Sequence, residues 1–338
     1  DDLINQYGEW ITKNCPERLD FVKEMAPDGK TVYCLPYSAG AEGGNSKATN
    51  SLLLTRWDYY KELGCPEIKN PDDYLNLLSQ MQKNHPTTDD GLPVYGFSLY
   101  NADNALYPVT MYMRCFGTQG YNEWIDTRVD DNSFCYAYTE EDSPFWKSLD
   151  FFRKAYNLGL LDPDSFTMTS DIYEENLKAG KYMFNVPGWM SGNANQEFNK
   201  TEGNQKTFIS MPSLSGDAED RFGNMYRGER QYVVNANTEN PERCVALLDF
   251  VSTYEFSRIA WNGLEGQFWN VEDGEAVPTD DYLKVTKDDA FGVETGVNVY
   301  HHFCGFGNGT IDPDDGVAID LYQFSQKALD SKMNDTVK

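Results

Sequence analysis

Short apolar runs alternate along the chain with longer amphipathic stretches. Several of the apolar runs are bounded by Gly, Pro or Asn, as β-strands commonly are. The strands predicted on this basis are Thr31–Leu35, Val94–Leu99, Tyr182–Val186, Thr207–Met211 and Gln231–Asn235. Because the stretches between them have helical periodicity, the order of elements predicts an α/β architecture.

The clearest of these helical stretches share a start signal in which a capping side chain stands directly before a proline. Asn and Ser accept backbone hydrogen bonds at a helix N-terminus, and proline fits the first helical position because its missing N–H needs no partner there. The pairs are Asn70-Pro71, Ser143-Pro144 and Asn240-Pro241. Apolar residues recur at helical spacing after each proline, so we predict a helix at each, with a stop for the third at Asn262-Gly263.

Two segments have the composition of loops. Ser38–Asn50 is rich in small residues and glycine, and Gly188–Gly203 is polar. Beyond Gly292 the periodicity is weak until Ala318–Leu329, where a further helix is predicted.

The composition narrows the class of protein. The 338 residues include 54 Asp and Glu against 28 Lys and Arg, so the net charge is −26. Apolar residues make up 40% of the chain, which is enough for one large or two medium folded domains rather than a disordered acidic chain. The charge argues against nucleic acid and bare anionic lipid as partners, since both need a clustered basic surface.

No apolar run is long enough to span a bilayer, and no signal peptide is recognisable at Asp1. Because the chain opens with Asp1 and Asp2 rather than methionine, we expect a processed or trimmed N-terminus.

Cysteine and histidine usage leaves little room for metal or redox chemistry. The 7 cysteines form no CxxC pair, which excludes zinc ribbons and thioredoxin-type sites and favours free thiols over a disulfide framework. The 3 histidines are too few to support histidine-based catalysis or metal binding. No phosphate-binding loop, GxGxxG or GxSxG motif is present. We therefore predict no cofactor and no bound metal.

Several aromatic residues stand beside predicted turns rather than on helix stripes. Aromatic faces at the carboxyl ends of strands suit sugars, because the ring stacks on C–H groups while planar polar side chains take the hydroxyls. Trp189 is the strongest candidate, because a Trp in a Pro-Gly turn has no helix or strand face to bury. The weaker candidates are Trp269, Tyr37, Asn101, Asp103 and Asn104. For each of these the competing interpretation is ordinary packing.

Carboxylates are so numerous that many acid/base pairs can be drawn. Glu229 and Glu265 are the best loop candidates, and Arg227 lies close to Glu229 in sequence. The competing interpretation of residues 227–230 is an exposed salt-bridge cluster. The segment His85–Gly91 offers two adjacent carboxylates, whereas calcium needs alternating oxygen ligands, so no calcium site is expected there.

Four segments, in order from about residue 29 to residue 275, resemble the extracellular solute-binding proteins of ABC sugar importers, family 1. Gly29–Pro36 is similar to the family's "GK-x-Y-x-x-P" crossing strand, and Leu52–Tyr74 to its "R-x-D-W-L-x-x-L-G" stretch. Leu158–Trp189 resembles the "G-K-x-A-M … W" segment. Asn240–Gly266 resembles the return helix and the "G-x-E-G" turn.

Two departures from the family pattern accompany the resemblance. The family normally begins with a lipidated cysteine and a leading β-α-β portion of its first lobe, and this sequence matches neither. The "D-x-N-x-N-G" calcium-like loop of some relatives falls near His85–Gly91, where its ligands are missing.

The resemblance implies a periplasmic-binding-protein-like fold of type II, in which two α/β lobes are joined by hinge crossings. Residues 1–35 would end a lobe-one segment and make the first crossing, 36–227 would form lobe two, and 228–338 would return to lobe one with a C-terminal helical segment. The implied protein is an extracellular monomer, lipid-anchored at the cell surface in its precursor. It captures an oligosaccharide and delivers it to ABC transporter permease subunits without catalysis.

The resemblance also implies that Trp189 stacks on a sugar ring. Arg227, Glu229 and Glu265 complete the predicted ligand-binding set.

Two other functions compete with this one. A glycoside hydrolase or lyase using Glu229 or Glu265 as acid or base would turn the sugar over, whereas a binding protein releases it unchanged. An acidic surface adhesin would do neither.

Overall fold

The computed structural model describes residues 1–36, 54–100, 106–119, 125–128, 130–131, 133–186, 188–211, 231–272, 275–285, 288–297 and 299. Beyond these it describes residues 303, 305–306, 310, 312–314, 316, 319–320, 325 and 327. The described residues divide into two units. The first contains those up to 36 and those from 231 onward, and the second contains those from 54 to 211.

The helices of the described residues are α1 (Asp2–Tyr7), α2 (Glu9–Asn14), α3 (Pro16–Met25), α4 (Trp57–Glu62), α5 (Pro71–Asn84), α6 (Tyr107–Tyr112), α7 (Pro144–Asn157), α8 (Ser170–Lys178), α9 (Gly188–Asn199), α10 (Pro241–Val251), α11 (Tyr254–Asn262), α12 (Asp280–Val285) and α13 (Asp289–Thr295). The strands are β1 (Leu35–Pro36), β2 (Leu54–Arg56), β3 (Thr118–Gln119), β4 (Ile125–Arg128), β5 (Phe134–Tyr136), β6 (Phe184–Asn185), β7 (Phe208–Ser210), β8 (Gln231–Tyr232), β9 (Trp269–Glu272) and β10 (Glu275–Pro278). Helices and short strands alternate, so the predicted α/β class is confirmed.

The second unit is built around an aromatic core. Its central sheet has the order β6-β2-β7, with all pairings antiparallel, and β3, β4 and β5 form a second three-stranded sheet. α5 and α7 bury their apolar stripes in one cluster with Phe97 and Phe184. Phe151 of α7 stacks on Tyr112 with ring centroids 4.2 Å apart.

The first unit combines residues from both ends of the chain. β1 pairs antiparallel with β8, and β9 with β10. The carboxylate of Asp249 in α10 accepts hydrogen bonds from the backbone N–H groups of Trp10 (3.1 Å) and Ile11 (2.8 Å) in α2. This contact satisfies donors that the start of a helix leaves without partners.

The three helices predicted at prolines are present and begin at Pro71, Pro144 and Pro241. A side-chain cap forms only at the first of them, where Asn70 accepts a hydrogen bond from the backbone N–H of Asp73 at 2.9 Å. Ser143 instead donates to the carbonyl of Ala137. The helix predicted from Pro241 is interrupted, because Thr253 caps a new helix that runs to Asn262.

The predicted strands are shorter than the apolar runs. Thr31–Leu35 contributes only Leu35 to a strand, because Asp28 accepts from the backbone N–H of Thr31 and Asp1 accepts from that of Val32. Val94–Leu99 makes isolated parallel bridges from Tyr95 and Phe97. In these two segments, hydrogen bonds to side-chain acceptors and single bridges take the place of a continuous ladder of strand hydrogen bonds.

The prediction of a loop over Gly188–Gly203 is wrong for most of its length, since α9 covers Gly188–Asn199. Met190, Ala194 and Phe198 recur every four residues and are all buried, so they form the apolar face of a helix. The predicted loop Ser38–Asn50 lies outside the described residues, and so does most of the predicted helix Ala318–Leu329.

Five cysteines of the described residues are free thiols, namely Cys15, Cys34, Cys65, Cys135 and Cys244. No helix among these residues is both long enough and apolar enough to cross a membrane.

Two glycines of the "G-x-E-G" turn differ in what surrounds them. Both have a positive φ, 76° at Gly263 and 81° at Gly266. A Cβ on Gly263 would lie 2.5 Å from Cδ2 of Phe268, whereas a Cβ on Gly266 would meet no atom within 4 Å. Only Gly263 therefore combines backbone strain with a close approach.

These surroundings predict unequal costs for the same substitution. Gly266→Ala should lower the free energy of unfolding by about 1–2 kcal/mol, the cost of a left-handed alanine. Gly263→Ala should lower it by about 1–3 kcal/mol more, because its ψ of −168° lies in a region that only glycine readily adopts and because overpacking against Phe268 is added. The measurement is the urea midpoint of each variant. Equal midpoints would show that neither the backbone at Gly263 nor the approach of Phe268 adds a cost.

Candidate functional site

Trp189 lies in the first turn of α9 and is 50% exposed. Its ring faces Tyr107, the first residue of α6, with centroids 6.1 Å apart and planes at 55°. The structure therefore places Trp189 on a helix, not in the predicted turn. Its ring is nevertheless accessible, because the helix turns Met190 and not Trp189 into the core.

The start of α9 is fixed by a buried amide. Asn185, the last residue of β6, donates from Nδ2 to Oγ of Ser191 at 2.8 Å and accepts at Oδ1 from the hydroxyl of Tyr173 at 2.9 Å. Asn185 and Ser191 are each 1% exposed. Because β6, α8 and α9 meet at this side chain, the backbone that bears Trp189 is held on both sides.

Tyr107 packs against a buried cluster that contains a row of stacked tyrosines. Tyr173 stacks on Tyr100 at 4.5 Å and on Tyr182 at 4.9 Å, and all three are buried. The hydroxyl of Tyr182 donates to Oδ2 of Asp162 at 2.7 Å. Burial, and next the contact with Asp162, raises the pKa of Tyr182, so its hydroxyl remains a donor at neutral pH.

Polar groups lie near Trp189 on the same helix. Asn193 follows it by four residues, so both side chains project from one side of α9. The amide of Asn193 donates to Oε1 of Glu174 in α8 at 3.0 Å, and Lys178 lies 3.0 Å from the same oxygen. A half-exposed indole beside a planar amide and a carboxylate is the combination that sugar recognition uses: stacking on the ring face and hydrogen bonds to hydroxyls.

The sequence analysis does not single out Glu174 and Asn193, which the structure adds as candidate site residues. The signal was the apolar spacing of Met190, Ala194 and Phe198, which would have predicted a helix and put Asn193 one turn from Trp189.

Glu265 and Trp269 belong to the first unit, where both line a recess of about 630 Å³. Glu265 is exposed, but Trp269 begins β9 and is 2% exposed, with its Nε1 donating to the carbonyl of Gly263 at 3.0 Å. The prediction that Trp269 offers an accessible ring therefore needs correction. Phe268 approaches Gly263 closely and packs in one small buried cluster with Trp269, which removes the Trp269 ring from solvent.

The recess also contains a partly buried ion pair. Nη2 of Arg258 lies 2.5 Å from Oδ2 of Asp312, and the guanidinium is 5.6 Å from the Trp269 ring. Trp10 and Tyr254 add an edge-to-face aromatic pair to its wall, with centroids 5.8 Å apart. The charge of Arg258 is already matched, so it is not a spare cation for an anionic ligand.

The remaining predicted site residues lie outside the described residues. They are Tyr37, Asn101, Asp103, Asn104, Arg227 and Glu229. Among the residues that the structure does describe, no three His, Cys, Asp or Glu side chains are grouped so as to hold a metal ion.

The comparisons with known proteins give structural matches only. No protein-family profile matches the chain, and no curated protein matches its sequence. Among solved structures, the alginate-binding protein AlgQ2 without calcium ion matches 98% of the chain with a TM-score of 0.58 and 17% identity. An HMO-binding, ABC-transporter-associated solute-binding protein from Bifidobacterium longum infantis ATCC 15697 matches 98% with a TM-score of 0.56 and 15% identity.

A third match is the ABC-transporter substrate-binding protein FusA of S. pneumoniae, an EF-hand mutant in complex with fructo-nystose. It matches 98% of the chain with a TM-score of 0.51 and 14% identity. The chain spans 64% of the length of AlgQ2, 67% of the B. longum protein and 65% of FusA. These matches show that the chain has the mixed α/β fold of periplasmic solute-binding proteins, as the sequence resemblance implies.

The two tryptophans should differ sharply in their contribution to stability. Trp269→Ala should lower the free energy of unfolding by about 3–5 kcal/mol, as truncation of a buried Trp does. Trp189→Ala should lower it by about 1 kcal/mol or less, because half of its ring is already in water. Urea unfolding of both variants makes the comparison. A larger loss for Trp189→Ala would identify Trp189 as a core residue.

Proposed function

We propose that this chain binds an oligosaccharide outside the cell and delivers it to the permease of an ABC importer without catalysing a reaction. The observation that carries the proposal is the accessible Trp189–Tyr107 pair on a solute-binding-protein fold. The cell-surface location, the lipid anchor and the permease rest on the family resemblance.

Trp189 would supply the stacking surface for one sugar ring. Its indole is large and has few rotatable bonds, and the Asn185–Ser191 contact holds the helix backbone that carries it, so little conformational freedom is lost on binding. Tyr107, tilted against it, would contact the edge of the same ring or a neighbouring one. Asn193 and Glu174 would take hydroxyl groups beside the stacked ring.

The residues predicted from the sequence alone extend this proposal. Asn101, Asp103 and Asn104 precede Tyr107 closely in the chain, so their amide and carboxylate groups are proposed as further hydroxyl partners. Tyr37, Arg227, Glu229 and Glu265 remain proposed ligand contacts on the same grounds of residue type and loop position.

A panel of oligosaccharides should separate binding from catalysis. At 100 times its dissociation constant, a ligand adds about 2.7 kcal/mol to stability, which a thermal shift detects easily. We expect calorimetry to give one sugar per chain, and mass spectrometry to recover that sugar unchanged. Release of new reducing ends above background would instead favour a hydrolase or lyase using Glu229 or Glu265. No binding at all would leave the adhesin interpretation.

Removal of the Trp189 ring should weaken sugar binding without unfolding the protein. Trp189→Ala should raise the dissociation constant about 30-fold or more, equivalent to about 2 kcal/mol, as for a stacked aromatic hot spot. The matched control is Trp146→Ala, since Trp146 is 42% exposed on α7 of the same unit.

Calorimetry on both variants with the sugar found in the panel gives the comparison. We expect the control to bind like the unmodified chain. Equal losses in the two variants, or no loss in either, would remove Trp189 from the site.

A further inference from the structure

The loop after α5, residues 85–93, closes on itself through backbone hydrogen bonds. Thr88 donates its N–H to the carbonyl of Leu92 at 2.8 Å, and Gly91 donates to the carbonyl of Thr88 at 2.9 Å. Leu92 donates to Oγ1 of Thr88 at 3.1 Å. Gly91 has a φ of 79°, which allows the tight turn. Two carbonyl oxygens and one hydroxyl oxygen of this loop are therefore already acceptors.

Three side-chain contacts join the loop to other parts of the second unit. Nζ of Lys206 lies 2.7 Å from Oδ2 of Asp89, across 117 residues of chain. At the other end of the loop, the ring of His85 stacks on Tyr59 with centroids 3.9 Å apart and planes within 7°. Nε2 of His85 also lies 2.6 Å from Oε2 of Glu62.

Lys206 is itself well placed to hold a loop. Its backbone N–H donates to Oδ1 of Asn204 at 2.9 Å, and the carbonyl of Thr207 accepts from the N–H of Trp57 at 2.8 Å. The lysine therefore projects from backbone joined to the start of α4, just before β7. Its side chain is 26% exposed, so much of its freedom is already lost before it meets Asp89.

Among the matched structures, AlgQ2 is described "without calcium ion", and FusA is an "EF-hand mutant", the EF-hand being a calcium-binding motif. The sequence resemblance aligns the calcium-like loop of such relatives with His85–Gly91. Calcium takes six to eight oxygens, in EF-hand loops from alternating positions. Here the carboxylates are adjacent, at Asp89 and Asp90, and one carries an ammonium group within 2.7 Å.

An ammonium at that distance opposes a divalent ion at the same carboxylate, because the two positive charges would share one anion. The hydrogen bond from Lys206, and next its charge, lowers the pKa of Asp89. The Asp89 carboxylate is therefore already paired with an ammonium group in this structure. The residues of the loop do not fit calcium.

We propose that the Lys206 ammonium takes the structural place of a metal ion in this loop, so that the chain fastens residues 85–93 with a cation of its own. The inference rests on the fold and is independent of sugar binding. With Lys206 in this role, the stability of the loop should not depend on calcium or chelators, but it should fall as the salt concentration rises.

The first test is calcium itself, added to the 338-residue chain. The melting temperature should be the same in millimolar calcium and in EDTA, and calorimetry should show no saturable heat. Saturable calcium binding that Asp89→Asn removes would overturn the proposal.

The second test is hydrogen exchange in the peptide that covers residues 85–93, followed by mass spectrometry. Lys206→Met should speed exchange there about two- to fivefold, which corresponds to the loss of one partly exposed ion pair. Lys206→Arg should keep the protection, because it keeps the positive charge. Added NaCl should speed exchange in the unmodified chain and not in Lys206→Met.

The matched control is Lys154→Met, since Lys154 makes an ion pair of the same 2.7 Å length with Asp72 elsewhere in the unit. That variant should leave exchange in residues 85–93 unchanged. If Lys206→Met also leaves it unchanged, or if Lys154→Met speeds it equally, Lys206 does not fasten the loop.

Discussion

A buried side-chain amide, that of Asn185, decides where the accessible aromatic surface of the second unit stands. The amide has both donors and acceptors, and at 1% exposure it must find protein partners or lose the free energy of leaving water. It finds them in Tyr173 of α8 and Ser191 of α9, while its own backbone pairs with β2. One residue thus joins a strand and two helices.

The orientation of α9 follows from that contact. With Ser191 held inward, Met190, Ala194 and Phe198 take the buried side of the helix, and Trp189 is left on the outer side next to Tyr107. Tyr107 in turn packs against the buried row of tyrosines, where Asp162 accepts a hydrogen bond from the Tyr182 hydroxyl. An exposed tryptophan on such a support is preorganised, which is what a stacking contact needs to give affinity.

The helices could be predicted because their signals are local. An Asn or Ser before a proline, followed by an apolar stripe, needs no knowledge of the rest of the fold, and α5, α7 and α10 begin as those signals indicate. The strands were harder, because their lengths depend on partners. Thr31 and Val32 lose their backbone donors to Asp28 and Asp1, which no periodicity reveals.

The candidate site also depends on tertiary contacts that the sequence does not reveal. Trp189 and Trp269 have similar neighbours in sequence, each following a glycine-containing turn, yet one is 50% exposed and the other 2%. What separates them is tertiary packing. Gly263 lets Phe268 approach closely, and Phe268 packs with Trp269 in a small core, whereas no such cluster covers Trp189 among the residues that the structure describes. Residue type and loop position predict both tryptophans as ligand contacts, and only the fold shows which of the two rings is accessible.

The net charge of −26 gives the basic side chains of this chain a particular use. Several of them join segments far apart in sequence: Lys206 with Asp89, Lys154 with Asp72, and Arg258 with Asp312. In a chain with about twice as many acids as bases, each such pair relieves repulsion and also fixes a loop or helix end, so the bases serve as internal cations.

Bases used in this way are not available to attract an anionic ligand. Stacking on Trp189 needs no charge, and the amide of Asn193 would bind hydroxyls without one. The proposed sugar contact is therefore of the kind that a strongly acidic surface can make without electrostatic cost.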